Sequence, residues 1–172
     1  MRQYHVRSKL FIYLLISAQF FFTFVQYLLP MLGERKKANE LYDELITHPR
    51  IRYASETLFK QGKYRNAILD AYIAIEEMVR EKSRDRRSYG VNLMCKVFNE
   101  KKPILKWRSV NEEVEKNELK GYKNIIVGAL QGIRNPKAHA IFEQRPMRAL
   151  QLLNLACLLA ELIDVSEYVG AN

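Results

Sequence analysis

The residues of this chain best suited to chemistry stand in one short stretch, residues 134–139, with the sequence RNPKAH. The guanidinium of Arg134 can hold a phosphate, and the imidazole of His139 can move a proton near neutral pH. Proline disfavours the α conformation of the residue before it. The sequence therefore predicts that one helix ends at Arg134 and that Asn135 caps a second helix with Pro136 at its first position. Residues five apart in an unbroken helix point away from each other, since each step turns by about 100°, so the predicted break would bring Arg134 and His139 together.

The same stretch also has an ordinary structural explanation. An arginine at a helix C-terminus interacts favourably with the helix dipole, and Asn-Pro is common at a helix start. From the residues alone, a phosphate site and a folding signal both stay open.

Metal and disulfide chemistry find little support in the sequence. The three histidines, His5, His48 and His139, are scattered, and the two cysteines, Cys95 and Cys157, are far apart. Because no metal-ligand spacing results, we predict no metal and no cofactor. Each cysteine lies in an apolar helical context, which favours two core thiols in a reducing cell over a disulfide. His48 stands beside a proline at a helix start, where a histidine is more often structural than catalytic.

The composition is that of one globular domain, and its basic charge makes a polyanionic partner worth considering. The 172 residues include 28 Lys and Arg against 19 Asp and Glu, a formal net charge of +9. Nucleic acid or an acidic membrane surface fits this balance, although a solvated basic surface has the same composition. Residues 81–88, EKSRDRRS, contain four basic residues and are expected to form either a solvated loop or an RNA-contacting surface.

The N-terminal segment, residues 1–33, is set apart by its hydrophobicity. No charged residue occurs from Leu10 to Gly33, and a bilayer is crossed by about 20 apolar residues. We predict a membrane anchor over residues 10–32, with its orientation left open because basic residues flank both ends. Two alternatives remain, namely a true start at Met31 and a hydrophobic helix packed on the domain or a partner. The run is too long for the usual core of a cleaved signal peptide.

Residues 34–172 are predicted to form one all-α domain with no strand. The clearest helix runs from Lys63 to about Lys82, where apolar residues recur at a spacing of three and four. Glu76 follows this apolar face closely, so it is expected either to enter a crevice and pair with an arginine or to form an exposed salt bridge. The sole tryptophan, Trp107, is expected to pack in the core rather than to stack on a base.

Two further helices frame residues 134–139. The first is amphipathic and leads directly into Arg134. The second, from Met147 to about Tyr168, is apolar on nearly every side. A helix of this kind is expected to be central to the core or shared with a second subunit.

Four segments, taken in order, carry a family resemblance: residues 48–51, 62–80, 90–94 and 132–139. Together with an all-helical domain in which Arg is followed by a polar residue and then His, they resemble a prokaryotic family of the HEPN superfamily (higher eukaryotes and prokaryotes nucleotide-binding domains). Its members are usually described as conserved hypothetical or abortive-infection-like proteins. The resemblance covers roughly residues 45–167 and implies a HEPN-like helical bundle, here preceded by the hydrophobic N-terminal helix.

The resemblance implies a metal-independent endoribonuclease of toxin or antiviral-defence type, with an active site composed across a homodimer. His139 would assist proton transfer as the RNA 2′-hydroxyl attacks the adjacent phosphate, and Arg134 would stabilise the developing charge. Asn135 would orient the phosphate or the histidine, and Glu76 and Arg80 are expected to support the site. The products would carry a cyclic phosphate and a 5′-hydroxyl.

Two other functions stay open. One is a non-catalytic RNA- or nucleotide-binding HEPN module that works with an operon-encoded partner or antitoxin. The other is a membrane-associated interaction protein whose basic surface meets anionic lipid. HEPN proteins controlled by nucleotidyltransferases often carry Tyr two residues after the histidine, and Ile141 at that position argues against this control. The expected location is the cytoplasm, with tethering to the inner membrane if residues 10–32 insert.

Overall fold

Helices make up almost all of the chain that the computed structural model describes, which is residues 19, 21–23, 25–26, 32–107, 112–139 and 144–170. The fold is an all-α bundle, as predicted. The helices are α1 (32–45), α2 (Pro49–Lys60), α3 (Tyr64–Ser83), α4 (Gly90–Val97), α5 (Glu112–Ala129), a π-helical turn (Leu130–Arg134), α6 (Asn135–His139) and α7 (Pro146–Val165).

The predicted membrane anchor, residues 10–32, lies for the most part outside the described residues, as does the alternative start at Met31. The few described positions before residue 32 are helical and exposed. Within the described ranges, no helix is both long enough and apolar enough to cross a membrane.

Helix α3 forms the centre of the bundle. It contacts α2, α4, α6, α7 and the π-helical turn. The apolar face predicted from spacing is the buried face of this helix, which confirms the prediction for Tyr64, Ala67, Ile68, Ala71, Tyr72, Ile75, Met78 and Val79. The hydroxyl of Tyr72 donates to the Leu152 carbonyl of α7 at 3.1 Å, and burial raises the pKa of this phenol. The two longest helices are thus joined by a hydrogen bond inside the apolar contact.

The turn between α2 and α3 depends on Gly62. Its φ of +81° lies in the left-handed region, which glycine enters without steric cost. This confirms the expected end of the preceding helix and fixes where α3 begins.

Helix α7 is buried on most of its sides and is therefore central to the core, which was one of the two expectations for it. It ends at Val165, earlier than predicted, because the next residues form a strand. Strand β1 (Leu105–Lys106) pairs antiparallel with β2 (Glu167–Tyr168). The prediction of no strand was therefore wrong in detail, since strands of two residues are too short to show a two-residue periodicity.

Trp107 and the two cysteines were all expected to lie in the core. Trp107 is buried, stacks on Phe98 with ring centroids 5.0 Å apart, and donates its indole N–H to the Leu162 carbonyl, which confirms that it packs. Cys157 is buried, but Cys95 is exposed, so the prediction of two core thiols was wrong for Cys95. The apolar residues around Cys95 turn toward α3, while its own position on α4 faces outward.

Candidate functional site

The chain does not break at the proline of residues 134–139. Helix α5 continues through the π-helical turn into α6, and Asn135 has helical angles, φ −62° and ψ −45°. Its N–H donates to the Leu130 carbonyl, five residues back, so Asn135 is inside the helix rather than at a cap. The predicted break was therefore wrong. A proline lacks the N–H and crowds the carbonyl four residues earlier, and widening the preceding turn to a π-helix accommodates it without ending the helix.

Arg134 and His139 consequently lie on one continuous helical segment. Among the described residues, no hydrogen bond or ion pair joins them. Arg134 is part-buried, and its Nη1 donates to Asn135 Oδ1 at 3.3 Å. His139, at the end of α6, is exposed. The structure brings Arg134 and Asn135 together but does not connect them to His139 within one chain.

Glu76 organises the residues around Arg134. It is only 4% exposed, and its Oε1 accepts hydrogen bonds from the Gly90 N–H at 2.8 Å and from Arg80 Nη2 at 3.3 Å. Its Oε2 lies 3.5 Å from Arg134 Nη2. Of the two expectations for Glu76, the structure shows the crevice and the pairing with arginine. We call Glu76, Arg80, Arg134 and Asn135 the Glu76 cluster.

The Glu76 cluster has an excess of positive charge, because two guanidinium groups share one carboxylate. The side chain of Arg80 is 27% exposed and that of Arg134 is 28% exposed, so solvent reaches both. The buried Nε atoms of both arginines and Glu76 Oε2 have no hydrogen-bond partner in the described structure. Because these atoms are buried, a ligand would meet the part-exposed remainder of each guanidinium side chain rather than its Nε. The arrangement can hold an oxyanion beside Asn135.

Lys137 is a residue of this stretch that the sequence reasoning missed. It is buried, and burial lowers the pKa of its ammonium group, with the nearby positive charge of Arg148 lowering it further. It stands three residues after Arg134, so helical spacing would have placed the two on neighbouring positions. Because a helix break was predicted at Asn135, Arg134 and Lys137 were not expected to share one helix.

The second histidine of the described chain has a different environment. His48 is 6% exposed, and its Nε2 lies 3.0 Å from Asp164 Oδ2 at the end of α7. Nearby, Arg50 makes two 3.0 Å bonds to Glu81, and Lys82 Nζ donates to the Ile163 carbonyl at 2.8 Å. These contacts tie α2, α3 and α7 together, which agrees with a structural role for His48.

Two open clefts lie away from the Glu76 cluster. One is bordered by the paired residues Arg50, Glu81, Lys82 and Asp164, and the other runs along α7 near Leu158. In the part of the chain that is described, no three His, Cys, Asp or Glu side chains converge as a metal site would require. In the Glu76 cluster, two part-exposed arginines share one buried carboxylate, which leaves an excess of positive charge.

Comparison with known proteins identifies a family but no activity. No curated protein and no solved structure matches the chain. Residues 46–163, more than half of the chain, match the model of a family described as "Protein of unknown function (Hypoth_ymh)". The matched range contains the Glu76 cluster, His139 and the helices α2 to α6 with most of α7. The chain therefore belongs to the Hypoth_ymh family.

Proposed function

We propose that this protein is a metal-independent endoribonuclease that acts as a homodimer, with Arg134 and His139 as its central catalytic residues. The observation that supports the proposal is the Glu76 cluster, in which a buried carboxylate holds Arg134 beside a second guanidinium and both arginine side chains are part-exposed. A site of this charge suits a phosphodiester. The resemblance to HEPN domains at residues 132–139 adds the expectation of RNA cleavage.

The proposed reaction needs two proton transfers and one site of charge stabilisation. The 2′-hydroxyl loses its proton as its oxygen bonds to the adjacent phosphorus, the bond from phosphorus to the 5′-oxygen breaks, and that oxygen takes up a proton. The imidazole of His139 suits these transfers. Arg134 and Arg80 stabilise the charge that develops on the phosphate oxygens, and Asn135 orients the phosphate. The products are a cyclic phosphate and a 5′-hydroxyl.

A second copy of the chain is part of the proposal because one copy leaves the two catalytic residues apart. His139 is exposed at the end of α6, and no described contact links it to Arg134. Oxyanion stabilisation and proton transfer act on the same phosphate, so the groups must meet there. A homodimer in which His139 of one copy approaches Arg134 of the other satisfies this requirement.

The cellular setting follows from the proposed chemistry. An RNase with little substrate selectivity is toxic unless controlled, which fits a toxin or antiviral-defence effector with a neutralising partner. We place it in the cytoplasm, with residues 10–32 as a tether to the inner membrane.

The separation of Arg134 from His139 also supports a second candidate, a module that binds RNA or nucleotides without cleaving them.

Incubation of the purified protein with single-stranded RNA in EDTA tests the proposal. The wild type should cleave the RNA and leave cyclic phosphate ends, while Arg134→Ala and His139→Ala should leave it intact with the helical fold preserved. Arg50→Ala is the matched control, because Arg50 is a part-exposed arginine paired with Glu81 in another region. Salt-dependent binding by the wild type without turnover would favour the binding module, and intact RNA at micromolar wild-type protein would overturn the ribonuclease.

A further inference from the structure

Tyr89 is a large aromatic residue left open to solvent beside the Glu76 cluster. It is 61% exposed and immediately precedes α4. The guanidinium carbon of Arg80 lies 4.4 Å from the centre of its ring. The neighbouring Gly90 N–H donates to Glu76 at 2.8 Å, which fixes the backbone next to the ring. Tyr89 is thus attached to the Glu76 cluster at two points without filling the core.

The contact with Arg80 gives the ring a defined orientation. A guanidinium near an aromatic face is attracted by the electron density of the ring. The same Arg80 is bonded to Glu76, whose other oxygen faces Arg134. Tyr89 is therefore connected through Arg80 and Glu76 to Arg134, the guanidinium proposed to hold the scissile phosphate.

The segment before Tyr89 is a structured loop that presents cations. The carboxylate of Asp85 accepts hydrogen bonds from the N–H groups of Arg87 and Ser88, at 2.9 and 3.1 Å, and lies 2.7 Å from Lys96 Nζ. These donors hold the pKa of Asp85 well below its usual range. The side chains of Arg86 and Arg87 are exposed, and neither forms an ion pair with a described residue.

We propose that Tyr89 is a base-stacking platform for single-stranded RNA and that Arg86 and Arg87 contact the phosphates next to the stacked base. The inference rests on the proposed function, since it takes RNA as the ligand of the Glu76 cluster. An exposed, oriented aromatic ring stacks on any base, and adjacent arginines follow the backbone. The platform requires an unstacked base, so it selects single strands over duplex.

Binding of a non-cleavable RNA tests the platform separately from catalysis. A labelled 2′-O-methyl oligonucleotide lacks the attacking hydroxyl, and an abasic strand of equal length keeps the phosphates but removes the bases. Tyr89→Ala should weaken binding of the base-bearing strand by roughly tenfold and leave the abasic strand unaffected. Tyr89→Phe should retain wild-type affinity. Tyr53→Ala, which removes a tyrosine of α2 that is 94% exposed, should change neither.

The contribution of Arg86 and Arg87 is measured separately, through the salt dependence of RNA binding. Each phosphate contact on a single strand contributes about 0.7 to the slope of log affinity against log salt, so Arg86→Ala with Arg87→Ala should reduce the slope by about 1.4. The matched control is Lys36→Ala with Lys37→Ala, which removes the same charge from exposed positions on α1.

The outcomes separate this inference from the proposed function. Unchanged affinity of Tyr89→Ala for the base-bearing strand, an equal loss on the abasic strand, or no binding of either strand by the wild type would overturn the platform. A wild type that binds through Tyr89 but never cleaves unmodified RNA would overturn the ribonuclease and leave the platform supported. A circular-dichroism melt of Tyr89→Ala should match the wild type, because the side chain is exposed.

Discussion

Two polar regions of this bundle each contain a histidine, and they use it in opposite ways. In the first, which we call the His48 region, His48 is buried against Asp164, and Arg50, Glu81 and Lys82 are all engaged with partners. In the Glu76 cluster and the adjoining α6, the histidine is exposed, and two part-exposed arginines surround one buried carboxylate. Each region keeps a buried polar atom without a partner, His48 Nδ1 in the first and the two arginine Nε atoms in the second. The regions differ in that the imidazole is buried in the first and open to solvent in the second.

The difference indicates that access to solvent is what separates the candidate site from the structural network. Both regions contain arginine, carboxylate and imidazole, so residue type alone does not separate them. A buried, paired imidazole cannot approach a substrate, and a bidentate arginine is already satisfied.

Exchanging the two histidines for alanine should give opposite results. His139→Ala should lower the cleavage rate by a factor on the order of 10² to 10⁴ and leave the melting temperature unchanged, since the exposed side chain supplies only proton transfer. His48→Ala should destabilise the fold by about 1–3 kcal/mol, because removing a side chain that is only 6% exposed leaves a cavity, with little change in rate per folded molecule. Initial rates and thermal melts of both variants measure this. A rate loss in His48→Ala matching that of His139→Ala would contradict the division between the regions.

Neutralising Glu76 should damage the Glu76 cluster in both stability and rate. Glu76→Gln keeps the shape but leaves two guanidinium groups without a counter-charge, which should cost about 1–3 kcal/mol and release Arg134 from its position. Denaturant unfolding and cleavage rates measure the two effects. Glu77→Gln is the control, since Glu77 is the exposed neighbour on α3, and a change within about 0.5 kcal/mol is expected. Equal effects of the two variants would show that Glu76 does not organise the cluster.

The loop beside Tyr89 should show acid dependence through Asp85. The folded-state pKa of Asp85 is lowered, so its stabilisation is complete above its ordinary value of 3.8 and is lost as the pH falls toward the folded-state pKa. Asp85→Asn should therefore destabilise the protein by about 1–2 kcal/mol at neutral pH, with the difference from wild type shrinking below about pH 4. Asp70→Asn serves as control and should not lower stability, because burial raises the pKa of Asp70. A difference that stays constant with pH would contradict the role of the Asp85 carboxylate.

The smallest effect is expected at the Arg50–Glu81 pair. Both side chains are substantially exposed, at 43% and 62%, so solvent screens their attraction. A double-mutant cycle with Arg50→Ala and Glu81→Gln should give a coupling below about 1 kcal/mol. A larger coupling would mean that the His48 region depends on this pair more than its exposure suggests.

Much of the fold was predictable because the residues that pack in the core recur at helical spacing in the sequence. The apolar spacing of α3 and the glycine at residue 62 predicted the central helix and the turn before it. The two-residue strands left no such trace, and their pairing depends on contacts between residues 105–106 and 167–168 that are distant in sequence. The exposure of Cys95 likewise depends on which side of α4 meets the rest of the bundle.

The candidate site was predictable in its members but not in its geometry. Glu76, Arg80, Arg134 and Asn135 were named from sequence, and the structure places them together. The conformation around Pro136 was not predicted, because local preference favours a break, whereas the packed helix keeps its path by widening one turn. The same continuity leaves His139 without a contact to Arg134 in one chain, which is why the proposed reaction uses a second copy.

Mixing two inactive variants tests whether Arg134 and His139 act from different copies of the chain. Arg134→Ala and His139→Ala, carrying different affinity tags, are co-expressed, and the mixed dimer is purified through both tags and assayed on RNA in EDTA. Each variant alone should be inactive, and the mixed dimer should recover cleavage with cyclic phosphate ends, because one copy supplies Arg134 and the other supplies His139. A mixed dimer that forms but leaves RNA intact, or two tags that never purify together, would contradict the account.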